Sequence, residues 1–410
     1  MRSMKAAALA LAVVFLASLL AAQTPLPGPE IPVSTGREFP MFPHVATAAN
    51  GDFAVVWESA GAASPYRVWM RRFAPNGKAK GRDVLVSRPK GAGTNQTDAR
   101  IAMTPGGGFM VVWESGNIAF HSAVFGRCFA ASGKPLGPAF QLNAGDPARL
   151  QMSPEVAAAP DGSFVATWAS GPNPYGQEAD IFVRRFAADG DPLGPAFKVE
   201  PWSSIWQNHP RVAVSGNGDF LVAWVADLGS SSSYGVVAQR FDAEAGPLGG
   251  RFQATPSPGI FGHYNEFAMA MTEDGESLFV WINSIPGAPP NSSGLPPYGI
   301  LGQRVTADGR QDGGLLIFQE IPSNLEVAPA AVALPGGGYF VAWGTFLLPS
   351  TIFGQRLSGE GVLQGPALRI NPLGAGYHPA LAVAPNGKGV VTWIASVRRR
   401  SAVLARVLAF

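Results

Sequence analysis

Cysteine is almost missing from this chain: Cys128 is the only one in 410 residues. No internal disulfide can form, so stability has to come from packing. Cys128 itself falls on a strand of the repeat described below, where a small, buried, apolar role is expected. Charge is sparse as well. Charged residues are 14% of the sequence, and Lys plus Arg (30) nearly equals Asp plus Glu (28). That balance lacks the basic footprint of a nucleic-acid binder. No nucleophile elbow, phosphate-binding loop or His-Glu-x-x-His motif occurs. No cofactor, no metal site and no nucleic-acid partner is therefore expected.

What the chain has is apolar residues (47%), Gly (50) and Pro (37). Many turn-formers with few charges suit an all-β protein. The first 22 residues read as a secretory signal peptide: Arg2 and Lys5, an apolar run from Ala6 to Leu20, then Ala21-Ala22-Gln23. The run is short for a membrane span of roughly 20 residues. No stable span is expected once it is cleaved. Loss of Arg2 and Lys5 leaves 28 basic and 28 acidic residues, a neutral mature chain. A secreted, periplasmic or cell-surface bacterial protein is the expectation. Residues 23–30 form a Pro-rich lead-in, and 31–410 read as a single domain.

That domain is repetitive. Trp57, Trp113, Trp168, Trp224, Trp281, Trp343 and Trp393 recur at spacings of 56, 55, 56, 57, 62 and 50 residues. A fixed period of this length marks a repeat architecture. Each unit reads as four short strands. The first often opens on Pro, as in Pro43-His44-Val45-Ala46 and Pro379-Ala380-Leu381-Ala382. A Gly-bearing turn follows, such as Asn50-Gly51 or Asn217-Gly218, which accepts positive φ and favours a hairpin. The Trp strand is apolar on both faces. A third strand carries Arg71-Arg72-Phe73 or Gln239-Arg240-Phe241, and a fourth reads Phe140-Gln141-Leu142. The Pro-rich stretch 286–297 lengthens the fifth unit. The seventh unit lacks a fourth strand, but Ile31-Pro32-Val33-Ser34 matches Phe140-Gln141-Leu142-Asn143 and Leu368-Arg369-Ile370-Asn371. The prediction is a seven-bladed β-propeller of four-stranded blades, its ring closed by an N-terminal strand completing the last blade.

The pattern Asn/Asp-Gly-x-Phe-x-Val-x-Trp, then Gln-Arg-Phe-x-x-x-Gly, then Phe-x-Val, resembles tandem repeats of large exported bacterial surface proteins. Val236 to Phe252 is where it shows best. The resemblance implies an extracellular propeller-type module and carries no catalytic signature. The Ser-x-Asp-x-Gly-x-Thr-Trp box of sialidase-like propellers is absent, as are the Asp-rich calcium loops of integrin-like ones.

In a propeller, the loops joining strands two to three and four to one share a face; the tight Gly turns share the other. His44, His121, His209, His263 and His378 sort to the first face. So do Tyr66, Tyr175, Tyr234, Tyr264, Tyr298 and Tyr377, with Trp202 and Trp206. Aromatic rings beside His and Arg suit sugars, whose apolar faces stack while their hydroxyls hydrogen-bond. Candidate ligand-binding residues are His44, Arg100, Glu155, Trp206, His209, Arg211, Tyr264, Tyr377 and His378. The expected role is a binding module for carbohydrate or a surface protein. Two alternatives stay open. One is a carbohydrate-active hydrolase or lyase using Glu58, Glu114, Glu155 or Glu266, with Arg100, Glu155 and Arg211 more simply paired as ions. The other is a structural surface component. The repeated Trp set reads as packing, and Arg72, Arg185, Arg240, Arg304 and Arg356 as local salt bridges or backbone bonds.

Overall fold

The computed structural model describes residues 28–35, 39–61, 65–87, 94–117, 121–143, 149–172, 178–199, 207–228, 234–256, 267–290, 297–321, 329–345, 350–371, 376–397 and 400–410. The signal segment, Tyr175, Trp202, Trp206, His263, Tyr264 and Glu266 lie outside the described residues.

Each tight turn closes in one way. The Gly51 N–H donates to the Ala48 carbonyl, with Gly51 at φ 84°, and the same bond recurs at 2.9–3.1 Å in all seven units. Left-handed φ costs glycine nothing, so the turn is set by sequence. The strands it joins pair into seven antiparallel sheets of four strands. In blade one they are Phe39–Thr47, Phe53–Ala60, Arg67–Phe73 and Val84–Leu85, from the channel outwards. The Trp strands are buried nearly end to end, and the seven repeated tryptophans are at most 3% exposed. Several indoles find a buried acceptor: Trp113 and Trp168 donate to Gln96 and Gln151 at 2.7 and 2.9 Å. Burial on both faces follows from the architecture. The apolar core divides into seven clusters, and each joins two neighbouring blades. Cys128 is buried in the cluster between blades two and three, and burial pushes its thiol up to about 12.

Closure follows the register match. The last sheet contains Gly376–Val383, Lys388–Val397, Arg400–Ala409 and, outermost, Ile31–Pro32. Val33 N–H donates to Val403 O at 2.9 Å, and Ser34 Oγ accepts from Val403 N–H at 3.0 Å. Ser87, Asn143, Thr255 and Asn371 accept the matching bond in other blades. Ile31 also fills the space over Gly77, where a Cβ would strike it. Arginines then tie blades at their rims. Arg71 Nη1 donates to Val33 O, Arg127 to Val86 O and Arg184 to Leu142 O, at 3.1–3.2 Å, each reaching the preceding blade. Blades four to six place Gln239, Gln303 and Gln355 there, and their amides bond carbonyls of their own blade. Of the Arg72 set, Arg72 and Arg240 donate to backbone carbonyls of the next blade, and Arg304 pairs with Asp312 at 2.7 Å.

Val33 is fully buried in the seam between the last blade and the first, whereas Pro32 is exposed at an edge. Val33→Asp should cost roughly 2–5 kcal/mol. Pro32→Ala should stay within about 0.5 kcal/mol. Urea midpoints of the two variants check this; equal midpoints would contradict strand closure.

Candidate functional site

The site is built by an irregularity in the innermost strands. In blade one, Met41 faces Glu58 and His44 faces Val56, so Phe42 and Pro43 together oppose one residue. This is a β-bulge. It recurs between Thr97 and Arg100, Met152 and Glu155, Asn208 and Arg211, and Tyr377 and Ala380. The first bulge residue is left-handed every time: Phe42, Asp98, Ser153, His209 and His378, at φ 48–54°. In four of the five, the second is proline, which has no N–H to lose where the ladder is interrupted. The sequence reading placed these prolines at strand starts. They lie inside longer strands instead, because pairing resumes beyond the bulge toward the loop face.

The bulges turn two tiers of side chains toward the mouth of the channel. The bulge residues form one. Phe42 of blade one meets His378 of blade seven edge to face at 4.9 Å, and Ser153 Oγ meets Asn208 Oδ1 at 3.4 Å. The second tier pairs with the residue before each repeated Trp. It reads His44, Arg100, Glu155, Arg211, Ala268, Ala330, Ala380 around the ring. Four polar residues thus occupy consecutive blades, and alanine occupies the other three.

The polar arc is one network. Glu155 Oε2 lies 3.5 Å from Arg100 Nε and 3.6 Å from Arg211 Nη1, and Asp98 Oδ1 lies 2.8 Å from Arg100 Nη1. Arg211 also stacks its guanidinium 5.8 Å from the Phe267 ring centre. The pairing of Arg100, Glu155 and Arg211 expected from sequence is present. His44, half-buried, lies within electrostatic reach of Arg100 and Arg211. Burial drives its pKa well below the ordinary value, and Arg100, Arg211 and His378 add to that. A neutral imidazole offers one donor and one acceptor. His209 and Tyr377 stand at the same end of their strands, both half-buried. Trp206 and Tyr264 lie outside the described residues; of the other seven candidates, Arg100, Glu155 and Arg211 are paired, His44 lies within reach of Arg100, Arg211 and His378, and His209 and Tyr377 share only the strand end.

Glu58 and Glu114 turn out to be fasteners. Glu58 Oε1 accepts from the Ala99 amide, inside the next blade's bulge, at 3.2 Å. Glu114 is held by the Ser153 amide and the Ser122 hydroxyl. Burial, reinforced by the Asp98 charge, pushes each carboxyl up to about 8. Asp98, Ser153 and the exposed Phe39 and Phe42 were missed from sequence. The signal was there for three of them: Phe42, Asp98 and Ser153 share the column of His209 and His378, two places before the polar tier.

On the opposite, tight-turn face a cleft of about 790 Å³ opens beside blades five and six, lined by Glu273, Asp274, Glu276, Arg304, Asp312 and Tyr339 among others. Its acidic side chains are largely turn caps and partners of Arg304. The loop-face mouth, by contrast, gathers partly buried charged groups from three successive blades, with His44 of a fourth beside them.

No family model matches the chain, and no curated protein matches it. Solved structures share the fold. A polysaccharide lyase, Uly1, superposes with a TM-score of 0.57 at 9% identity, covering 94% of both chains. A protein of unknown function from Dyadobacter fermentans gives 0.55 at 12%, covering 93% of this chain and 98% of that one. The NanB sialidase of Streptococcus pneumoniae gives 0.52 at 11%, covering 95% and 72%.

The two fasteners carry a pH signature. An unfolded Glu titrates near 4.5, whereas these titrate near 8 in the fold. Their contribution is full below pH 4.5 and is lost as pH rises toward 8, at up to about 1.4 kcal/mol per unit for each. Urea midpoints of the wild type should fall between pH 5 and 8, and the Glu58→Gln/Glu114→Gln double variant should flatten that fall. Parallel pH curves for the two proteins would refute the assignment.

Proposed function

We propose that the protein is an exported glycan-binding propeller whose binding surface is the loop-face mouth of the channel. One observation carries the reading: His44, Arg100, Glu155 and Arg211 form a contiguous polar arc in a tier otherwise made of alanine. A scaffold repeated seven times has no packing need for that asymmetry. The arc offers donors, acceptors and a neutral imidazole beside exposed aromatic rings, which is the mixture a sugar requires. Residues 1–22 support export. Propellers that act on carbohydrates share the fold, which makes saccharides the first ligand class to test. A glycan displayed on a surface protein satisfies the same chemistry.

Binding is favoured over paired-carboxylate hydrolysis by the state of the carboxyls. Paired-carboxylate chemistry needs two groups about 5–9.5 Å apart that face the substrate. Here Asp98 and Glu155 are engaged with arginines, and Glu58 is 2% exposed and bonded to a backbone amide. The test is a broad glycan array probed with the chain from residue 23 and with its Arg211→Ala variant. Saturable binding is expected, weakened at least tenfold by the substitution while the far-ultraviolet spectrum is unchanged. A blank wild-type array would overturn the proposal.

A further inference from the structure

Phe42 is out of place by every local criterion. It is a bulky residue at φ 48°, where such side chains are outliers, and it leaves 39% of its surface exposed. The bulge explains the backbone but not the ring. Two of the four equivalent positions hold Asp98 and Ser153, small polar residues that bond to Arg100 and to Asn208 of the next blade. Strain that burial does not repay points toward a functional role. His378, at φ 49°, sets its ring against Phe42 at 4.9 Å with the planes 67° apart. Phe39, on the same strand, is 57% exposed. Other exposed apolar side chains, such as Leu136, Leu193 and Val362, sit at the outer hairpins instead. At the seam between blades seven and one, exposed rings therefore stand on the strand that carries His44, the first residue of the polar arc.

We propose that Phe42, braced by His378, is a stacking shelf for a neutral pyranose unit with equatorial hydroxyls, as in β-linked gluco- or xylo-oligosaccharides. This rests on the glycan-binding reading of the same mouth and names its ligand class. Equatorial hydroxyls leave axial C–H groups on both faces of the ring, so such a sugar is flat and apolar where it meets an aromatic face. Its hydroxyls then point sideways, toward His44, Arg100, Glu155 and Arg211. Neutrality follows from the charge count of the arc. Two guanidiniums are matched by the carboxylates of Asp98 and Glu155, so an anionic sugar would have to break an existing pair.

Calorimetric titration of the chain from residue 23 with cellohexaose, xylohexaose and hexagalacturonate tests this. Cellohexaose or xylohexaose should bind, and hexagalacturonate should bind at least tenfold more weakly. Phe42→Ala and Phe42→Gly should each lower the affinity tenfold or more, and Phe42→Trp should stay within threefold of wild type. The glycine variant separates shelf from fold, because it removes the ring while relieving the left-handed backbone. Its urea midpoint should equal or exceed that of the wild type. Unchanged binding by both small variants would overturn the shelf and leave glycan binding standing. Preference for hexagalacturonate, or for an array glycan of neither neutral class, would overturn the ligand assignment. Failure of the wild type to bind any glycan would remove the shelf together with the reading beneath it.

Discussion

Every sheet in this protein is apolar on both faces, so none can be left at the end of a row. That constraint forces a ring. Seven seams each bury a cluster drawn from two blades, and the seam that joins the first blade to the last depends on a strand supplied from the opposite end of the chain. Ile31 and Val33 supply its apolar contacts, while Val33 N–H and Ser34 Oγ supply its hydrogen bonds. Without disulfides, this pairing does the work a covalent link does elsewhere.

The fold was legible because its signals are local and repeated. Trp at a fixed period, Gly at each turn and the Ile31–Ser34 match are all backbone or packing requirements that every blade must satisfy. The mouth was only half legible. Arg100, Glu155 and Arg211 could be paired by charge, whereas His44 could be placed only on the loop face. The bulges were not visible. Proline was read as a strand boundary, its commonest meaning, while here it occupies the unpaired place inside a strand. Missing the bulge meant missing Phe42, Asp98 and Ser153. It also hid the partners of Glu58 and Glu114, which accept from amides of the next blade's bulge.

The same irregularity separates scaffold from recognition. Beyond the bulges the inner strands return to regular pairing with the Trp strands. Inside them the backbone is held by neighbours, and the side chain is released from the core. Five blades use one conformation to present Phe, Asp, Ser and two His. Chemical variety at the mouth is thus obtained without disturbing the seams below it.

The arginine ties at the rim give the ring a direction. Arg71 reaches Val33 only when the closing strand is seated, Arg127 needs the outer strand of blade one, and Arg184 needs that of blade two. Each of these blades therefore completes its bonding only after its predecessor is whole, and the first of them waits for the two ends of the polypeptide to meet. Closure is sensed one blade beyond the place where it happens. The ring couples its termini to its interior, because a fault at the joint removes a rim bond of the first blade as well as the pairing of the last.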